Sequence, residues 1–170
     1  GEAAVRRLME SGDSVDTAVW RRLGSELGVL GMSVPEADGG AGGCLVDQAV
    51  AVEEFGATLA GGPLFGTVYL AIPALVACPA GPARTELLSA LVDGESTAAF
   101  AVADVAGAFD PGRVTVSVDA DRITGTAGCV VDATAADVLL VAARGSAGVG
   151  LYAVDATDAQ RTPLVTMDHT

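Results

Sequence analysis

Lysine does not occur in this 170-residue chain; all nine basic residues are arginine. Schiff-base chemistry on a lysine amine is therefore excluded within it. Histidine is nearly as scarce, with the single His169 one residue from the end. A lone terminal histidine reads as an exposed residue rather than a base, so a Ser-His-Asp arrangement is excluded and Asp168 beside it is mere adjacency. Basic charge is short throughout, 9 residues against 22 acidic ones for a net charge of −13. Nucleic acid and anionic membrane are thus poor partners, because neutralising phosphates needs clustered cations; self-repulsion that favours solubility is the plain reading. Three cysteines, Cys44, Cys78 and Cys129, are odd in number and far apart. They fit neither a disulfide framework nor a metal site and read as buried small hydrophobes in a reducing compartment. No metal ligand set is expected. The longest apolar run, Tyr69 to Ala80, is broken by Pro73 and Pro79 and is too short to span a bilayer. Gly1-Glu2-Ala3-Ala4 already has helical character, so no signal peptide is expected and the cytoplasm is the expected compartment. Aromatic residues make up only 4%, which leaves a core of Ala, Val and Leu whose small side chains each bury little area.

What is present falls into two textures. Up to about residue 96 the pattern is helical. Ala3 to Glu10 reads as the end of one helix. Asp13 or Ser14 can cap the next, Val15 to Leu27, with Val19, Leu23 and Leu27 as its apolar stripe and Trp20 at the stripe's edge. A third helix is expected from Leu45 to Leu59, burying Leu45, Ala49, Val52, Phe55 and Leu59, and stopped by Gly61-Gly62-Pro63. Leu64 to Cys78 is apolar all round, hence a buried helix kinked at Pro73. Pro82 opens the last helix, with Leu87, Leu88 and Leu91 inward.

After Asp93-Gly94-Glu95 the period changes. Thr97–Asp104, Arg113–Asp119, Arg122–Asp132, Asp137–Ala143, Val149–Val154 and Thr162–Met167 are short Val-rich runs. Turn formers separate them, at Asp110-Pro111-Gly112, Asp119-Ala120-Asp121 and Gly145 to Gly148. The expected fold is α+β: an all-α N-terminal helical bundle over residues 1–96, then an antiparallel β-sandwich or barrel over residues 97–170.

Few residues offer chemistry. Gly39-Gly40-Ala41-Gly42-Gly43 lacks the Gly-Lys-Ser/Thr ending of a phosphate loop and follows a helix, so an inter-helix turn is the better reading. Glu53 and Glu54 are neighbours on a helix, about 100° apart, and do not share a site. No catalytic residue can be assigned.

Trp20 to Pro63, which runs from an amphipathic helix through Val34-Pro35-Glu36 and the glycine turn to Glu53-Glu54-Phe55-Gly56, resembles the N-terminal domain of the acyl-CoA dehydrogenase flavoproteins. That family has a helical N-terminal domain, a middle β-domain and a C-terminal helical domain. The β-domain typically carries an aromatic residue followed by T-E-P-x-A-G-S-D, and later G-x-K-x-W-I-T-N-A running into A-D before a strand. Phe100 to Asp110 is similar to the first block, Arg122 to Ala133 to the second, and Ala136 to Ala143 to the strand. Met167 to Thr170 resembles the turn that follows.

The resemblance implies an oxidoreductase that uses FAD to convert an acyl-CoA thioester to its 2,3-enoyl form, works as a homo- or hetero-oligomer, and passes electrons to an electron-transfer flavoprotein or similar acceptor. It implies FAD contacts at Phe100, Val102, Ala103, Cys129 and Val131, and an acyl-CoA contact at Phe109. In the family, Ala103 would be threonine, Cys129 tryptophan, Val131 a hydroxyl residue and Phe109 serine. Those departures leave a second reading open, a non-catalytic partner subunit of a heteromeric acyl-CoA dehydrogenase with a degenerate flavin site. A flavin-dependent monooxygenase or oxidase on the same scaffold is a third. The sequence ends before the family's C-terminal domain, which carries the glutamate that removes the α-proton, so catalytic residues are expected to be none.

Overall fold

The computed structural model describes residues 15–164 together with Arg6. The expected helix over Ala3–Glu10 therefore lies, apart from Arg6, outside the described residues, as do Asp13, Ser14, Asp168 and His169.

Helix α1 (Thr17–Ser25) is capped by Asp16, whose carboxylate accepts from the amides of Ala18 and Val19. Its buried residues are Trp20 and Gly24, whereas Val19 and Leu27 are exposed. Of the expected stripe only Leu23 packs, half-buried, against the cluster around Trp20, so the helix is rotated from the expected face. Gly24 lies against the backbone of Asp93 and Gly94, where even a methyl group would meet atoms 2.4–2.6 Å away. That contact turns the Gly24 face inward, and Trp20, one turn earlier, follows it.

The glycine cluster is a turn, as expected. It follows a short 3₁₀ turn (Glu36–Asp38), and the amides of Ala41 and Gly43 donate back to the carbonyls of Gly31 and Met32. Helix α2 (Leu45–Thr58) begins where the Asp47 carboxylate accepts from the Cys44 amide, and it ends at Leu59 in a left-handed conformation. Only Gln48 is buried along its length. Leu45 and Leu59 are 77% and 57% exposed, Ala49 is exposed, and Val52 and Phe55 are half-buried, so the expected apolar stripe is not in the core. The reason is polar: the Gln48 side chain, which is buried, accepts from the Ser33 amide and donates to the Val29 carbonyl, both half-buried backbone groups.

Leu64 to Cys78 forms a π-helical segment (Phe65–Ala71) that runs into helix α3 (Ile72–Ala77). Pro73 has no N–H to donate, and the wide turns ahead of it are the local response. Helix α4 (Pro82–Val92) starts at Pro82 as expected and buries Leu88, Leu91 and Val92.

Among the described residues five strands follow: β1 (Ala98–Ala101), β2 (Ser117–Asp119), β3 (Arg122–Thr124), β4 (Val138–Gly145) and β5 (Gly148–Asp155). The α+β class and the helices-then-strands order hold. The sheet is mixed: β4 is central, pairs antiparallel with β5 through the expected Gly145–Gly148 hairpin, and runs parallel to β1 and β2. β2 and β3 form the antiparallel hairpin around Ala120. Residues 102–104, 113–116 and 125–132, expected to belong to strands, are loop or turn instead, and residues 162–164 form no strand. Val34, Ile72, Leu75, Leu88 and Leu91 pack with Ala98 and Leu140 on one side of the sheet. On the other, Ala99, Leu139, Val141 and Ala143 pack with Val116 and Ala136. The cysteines depart from expectation: Cys44 and Cys129 are exposed and Cys78 is half-buried, each at or next to a turn or helix end.

Candidate functional site

Strand β1 delivers the chain into the loop at 102–110, and that loop is folded by one carboxylate. Asp104 accepts from the amides of Ala106 and Ala108 at 2.9 and 3.0 Å and pairs with Arg113 at 2.9 Å. The amide bonds, with Arg113 adding to them, hold its carboxyl below the usual carboxylate range. Its own amide donates to Ala108, closing a compact turn.

A second loop, 125–132, lies against the first. The Gly128 amide donates to the Ala103 carbonyl at 3.3 Å, and a side chain at Gly128 would meet Asp104 and Val105 backbone atoms at 2.8 Å. Gly107 likewise faces Cys129, where an added methyl would sit 3.1 Å from the sulfur. Cys129 and Asp132 both adopt left-handed backbone, φ 50° and 58°. Asp132 turns its carboxylate away from solvent and accepts from the Gly66 amide at 2.7 Å. Burial pushes its carboxyl up, and the Gly66 bond only partly opposes that.

The structure brings the expected residues together in part. Val102 and Ala103 line a cavity of about 10 Å³ with Asp104, Arg113, Thr115 and Thr126, room for no more than a water. Cys129 and Val131 sit on the neighbouring loop, Val131 being 41% exposed. Phe109 and Val105 are also largely exposed. Phe100 is set apart: its side chain packs half-buried against the helix-facing core, leaving only its backbone near the loops. The result is an open apolar wall, not an enclosure. Sequence reasoning missed Gly66, Thr67, Gly107, Gly128 and Asp132, which shape this wall. The two glycines and Asp132 fall inside the blocks quoted from the sequence, but Gly66 and Thr67 carry no local signal.

A groove of about 410 Å³ lies elsewhere, between Trp20, Arg21, Gly94, Glu95, Thr97 and Asp137. Among the described residues, no group of His, Cys, Asp and Glu could hold a metal ion, and no helix is long and apolar enough to cross a membrane.

Residues 2–95 match the family described as acyl-CoA dehydrogenase, N-terminal domain. Over 122 residues, 68% of this chain, the sequence is 38% identical to acyl-CoA dehydrogenase IpdE2 of Mycobacterium tuberculosis. In three dimensions 88% of the chain is similar to a variant of the Tcur3481–Tcur3483 steroid ACAD, with a TM-score of 0.69 and 34% identity. It is also similar to a chain of the ChsE4–ChsE5 complex from Mycobacterium tuberculosis, with a TM-score of 0.70 and 28% identity over 89% of its length. The chain spans 38%, 42% and 41% of the length of these three proteins, respectively.

Proposed function

The chain belongs to the acyl-CoA dehydrogenase family, and from that premise we propose that it supplies the N-terminal and middle portions of a cytoplasmic FAD-dependent enzyme that desaturates an acyl-CoA thioester between its α and β carbons. The division at 96/97 then separates a helical domain from a β-domain. The observation that carries this reading is the contact between the 102–110 and 125–132 loops through the Gly128–Ala103 hydrogen bond. It gathers Val102, Ala103, Cys129 and Val131 along one open wall.

The residues present fit a flavin as half of a site. Exposed apolar groups at Val105, Phe109 and Val131 and closely packed backbone at Gly107 and Gly128 suit the face of a flat ring system. Bound FAD supplies the acceptor for the β-hydride. Val102 and Ala103 offer backbone groups to the ring, Phe109 flanks the acyl-CoA, and the wall keeps water from one side. The α-proton goes to a base outside these residues. A second subunit would complete the enclosure, and electrons would leave the site to an electron-transfer flavoprotein or similar acceptor. Likeness to two steroid-type or paired-subunit proteins supports a heteromeric assembly.

Ala103, Cys129 and Val131 favour a second reading, a partner-stabilising subunit whose flavin contacts have drifted. Loss of each hydroxyl or of the ring forgoes roughly 1 kcal/mol. The test is the full-length protein purified alone and with any co-encoded partner, scanned for flavin absorbance and for dye reduction by straight-chain and sterol-derived acyl-CoA thioesters. Flavin and dye reduction are expected with the partner present. Their absence from every preparation would reject both the cofactor and the reaction, and oxygen consumption in place of dye reduction would favour an oxidase.

A further inference from the structure

Two consecutive residues of the π-helical segment hold the 125–132 loop and the start of the strand that leads into the 102–110 loop. The Gly66 amide donates to Asp132 at 2.7 Å, and Asp132 directly follows Val131. Thr67 next to it is fully buried; its hydroxyl donates to the Ala98 carbonyl at 2.9 Å and accepts from the Ala98 amide at 3.0 Å. Ala98 opens β1, two residues before Phe100. Neighbours on a helix point in different directions, so one turn can grip two segments lying on different sides of it.

The geometry explains why this turn is suited to the task. Gly66 sits in the first turn of the π-helical segment, where amides have no partner within the helix, so its N–H is free to meet an external acceptor. A side chain at Gly66 would crowd this contact, because an added methyl would lie 2.9 Å from the Asp132 side chain and 3.0 Å from the Val131 carbonyl. The backbone of one segment thus seats directly on the other. On the far side, Thr67 completes the hydrogen bonding of a strand residue that is itself wholly buried.

Resting on the flavin reading above, we propose that Thr67 and Asp132 are positioning residues for the cofactor: together with the Gly66 amide they fix the spacing between the β1-to-loop segment and the 125–132 loop, and so the width of the flavin-facing wall. Neither side chain touches the flavin. They act through Ala98 and through the backbone that carries Cys129 and Val131.

The test uses the full-length protein with its partner, and four variants. D132G removes the acceptor while allowing the left-handed backbone, and D132N keeps an acceptor in a residue that tolerates it. T67V removes the hydroxyl at constant shape, and T67S restores it. FAD affinity is read by flavin fluorescence titration, and hydrogen exchange is followed over 98–103 and 125–131. D132G is expected to weaken FAD binding about tenfold, a loss of about 1.4 kcal/mol, to speed exchange over 125–131 and to leave 98–103 protected. T67V should do the reverse to exchange and weaken FAD similarly, while D132N and T67S stay near wild type. Wild-type FAD affinity in D132G and T67V, or weakened affinity in D132N equal to that of D132G, would overturn the positioning role. If T67V does not fold, the D132G and D132N pair decides alone. Wild-type protein that binds no flavin would instead sink the flavin reading itself, a result visible before any variant is made.

Discussion

Arg84 shows how much one side chain can organise. Its guanidinium forks onto both oxygens of Asp38 at 2.7 and 2.9 Å, while Nε donates to the Leu75 carbonyl at 2.7 Å and Nη2 to that of Val76. It thereby joins α4, the end of α3 and the 3₁₀ turn after Val34. Lysine has neither the planar fork nor enough directed donors to replace it, so R84K should lower the urea midpoint with an unchanged slope. The pair also carries a pH signature. The Arg84 hydrogen bond holds the Asp38 carboxyl below the usual carboxylate range. A depressed folded value means the stabilisation is complete above the unfolded value of about 3.9 and is lost as pH falls through the folded one. Chemical denaturation of wild type and D38N across acidic pH should show a constant gap at neutral pH that closes below about pH 4. A gap indifferent to pH would mean that the carboxylate charge contributes nothing.

At the level of elements, Gly24 gives a case where two effects oppose each other. In a helix interior, alanine is better than glycine by about 0.5–1 kcal/mol. Here α1 meets the end of α4 through bare backbone, with no room for a methyl at 2.4–2.6 Å. Overpacking of that kind costs about 1–3 kcal/mol, so it outweighs propensity, and G24A should destabilise the protein in urea melts. A stabilised G24A would show that α1 simply shifts aside. The same contact explains what could be read from the sequence and what could not. Helix and hairpin positions were legible because their signals are local: Pro82 starting α4, Gly145 to Gly148 joining β4 and β5. The facing of α1 and α2 was not, because Gly24 meets residues near 93, and Gln48 meets Val29 and Ser33, so burial there is decided by distant partners rather than by periodicity. Parallel pairing of β1 with β4 escaped for the same reason, being a contact between strands some 40 positions apart. The wall itself was legible only as an ordered set of blocks; the grip of Gly66 and Thr67 on it was not, since neither residue is unusual in its own neighbourhood.

For the whole molecule, the question is what the exposed apolar surface is for. A cavity of about 10 Å³ between the loops cannot hold a flavin, yet Val105, Phe109 and Val131 leave an apolar surface beside it open to solvent. A surface that is costly to expose and too shallow to bind alone is what one half of a shared site looks like. If so, a charge placed on it should cost little to this chain's own fold and much to what assembles over it. Val131 and Val149 make a matched pair, each 41% exposed, the first on the 125–132 loop and the second beside the β4–β5 hairpin tip. V131E should reduce the flavin-to-protein ratio of the purified full-length assembly and shift its native mass towards free subunits, while V149E leaves both unchanged and the two variants melt alike as isolated chains. Equal flavin content in V131E and wild type would mean that the ring sits elsewhere, and the wall would be no more than an exposed pair of loops.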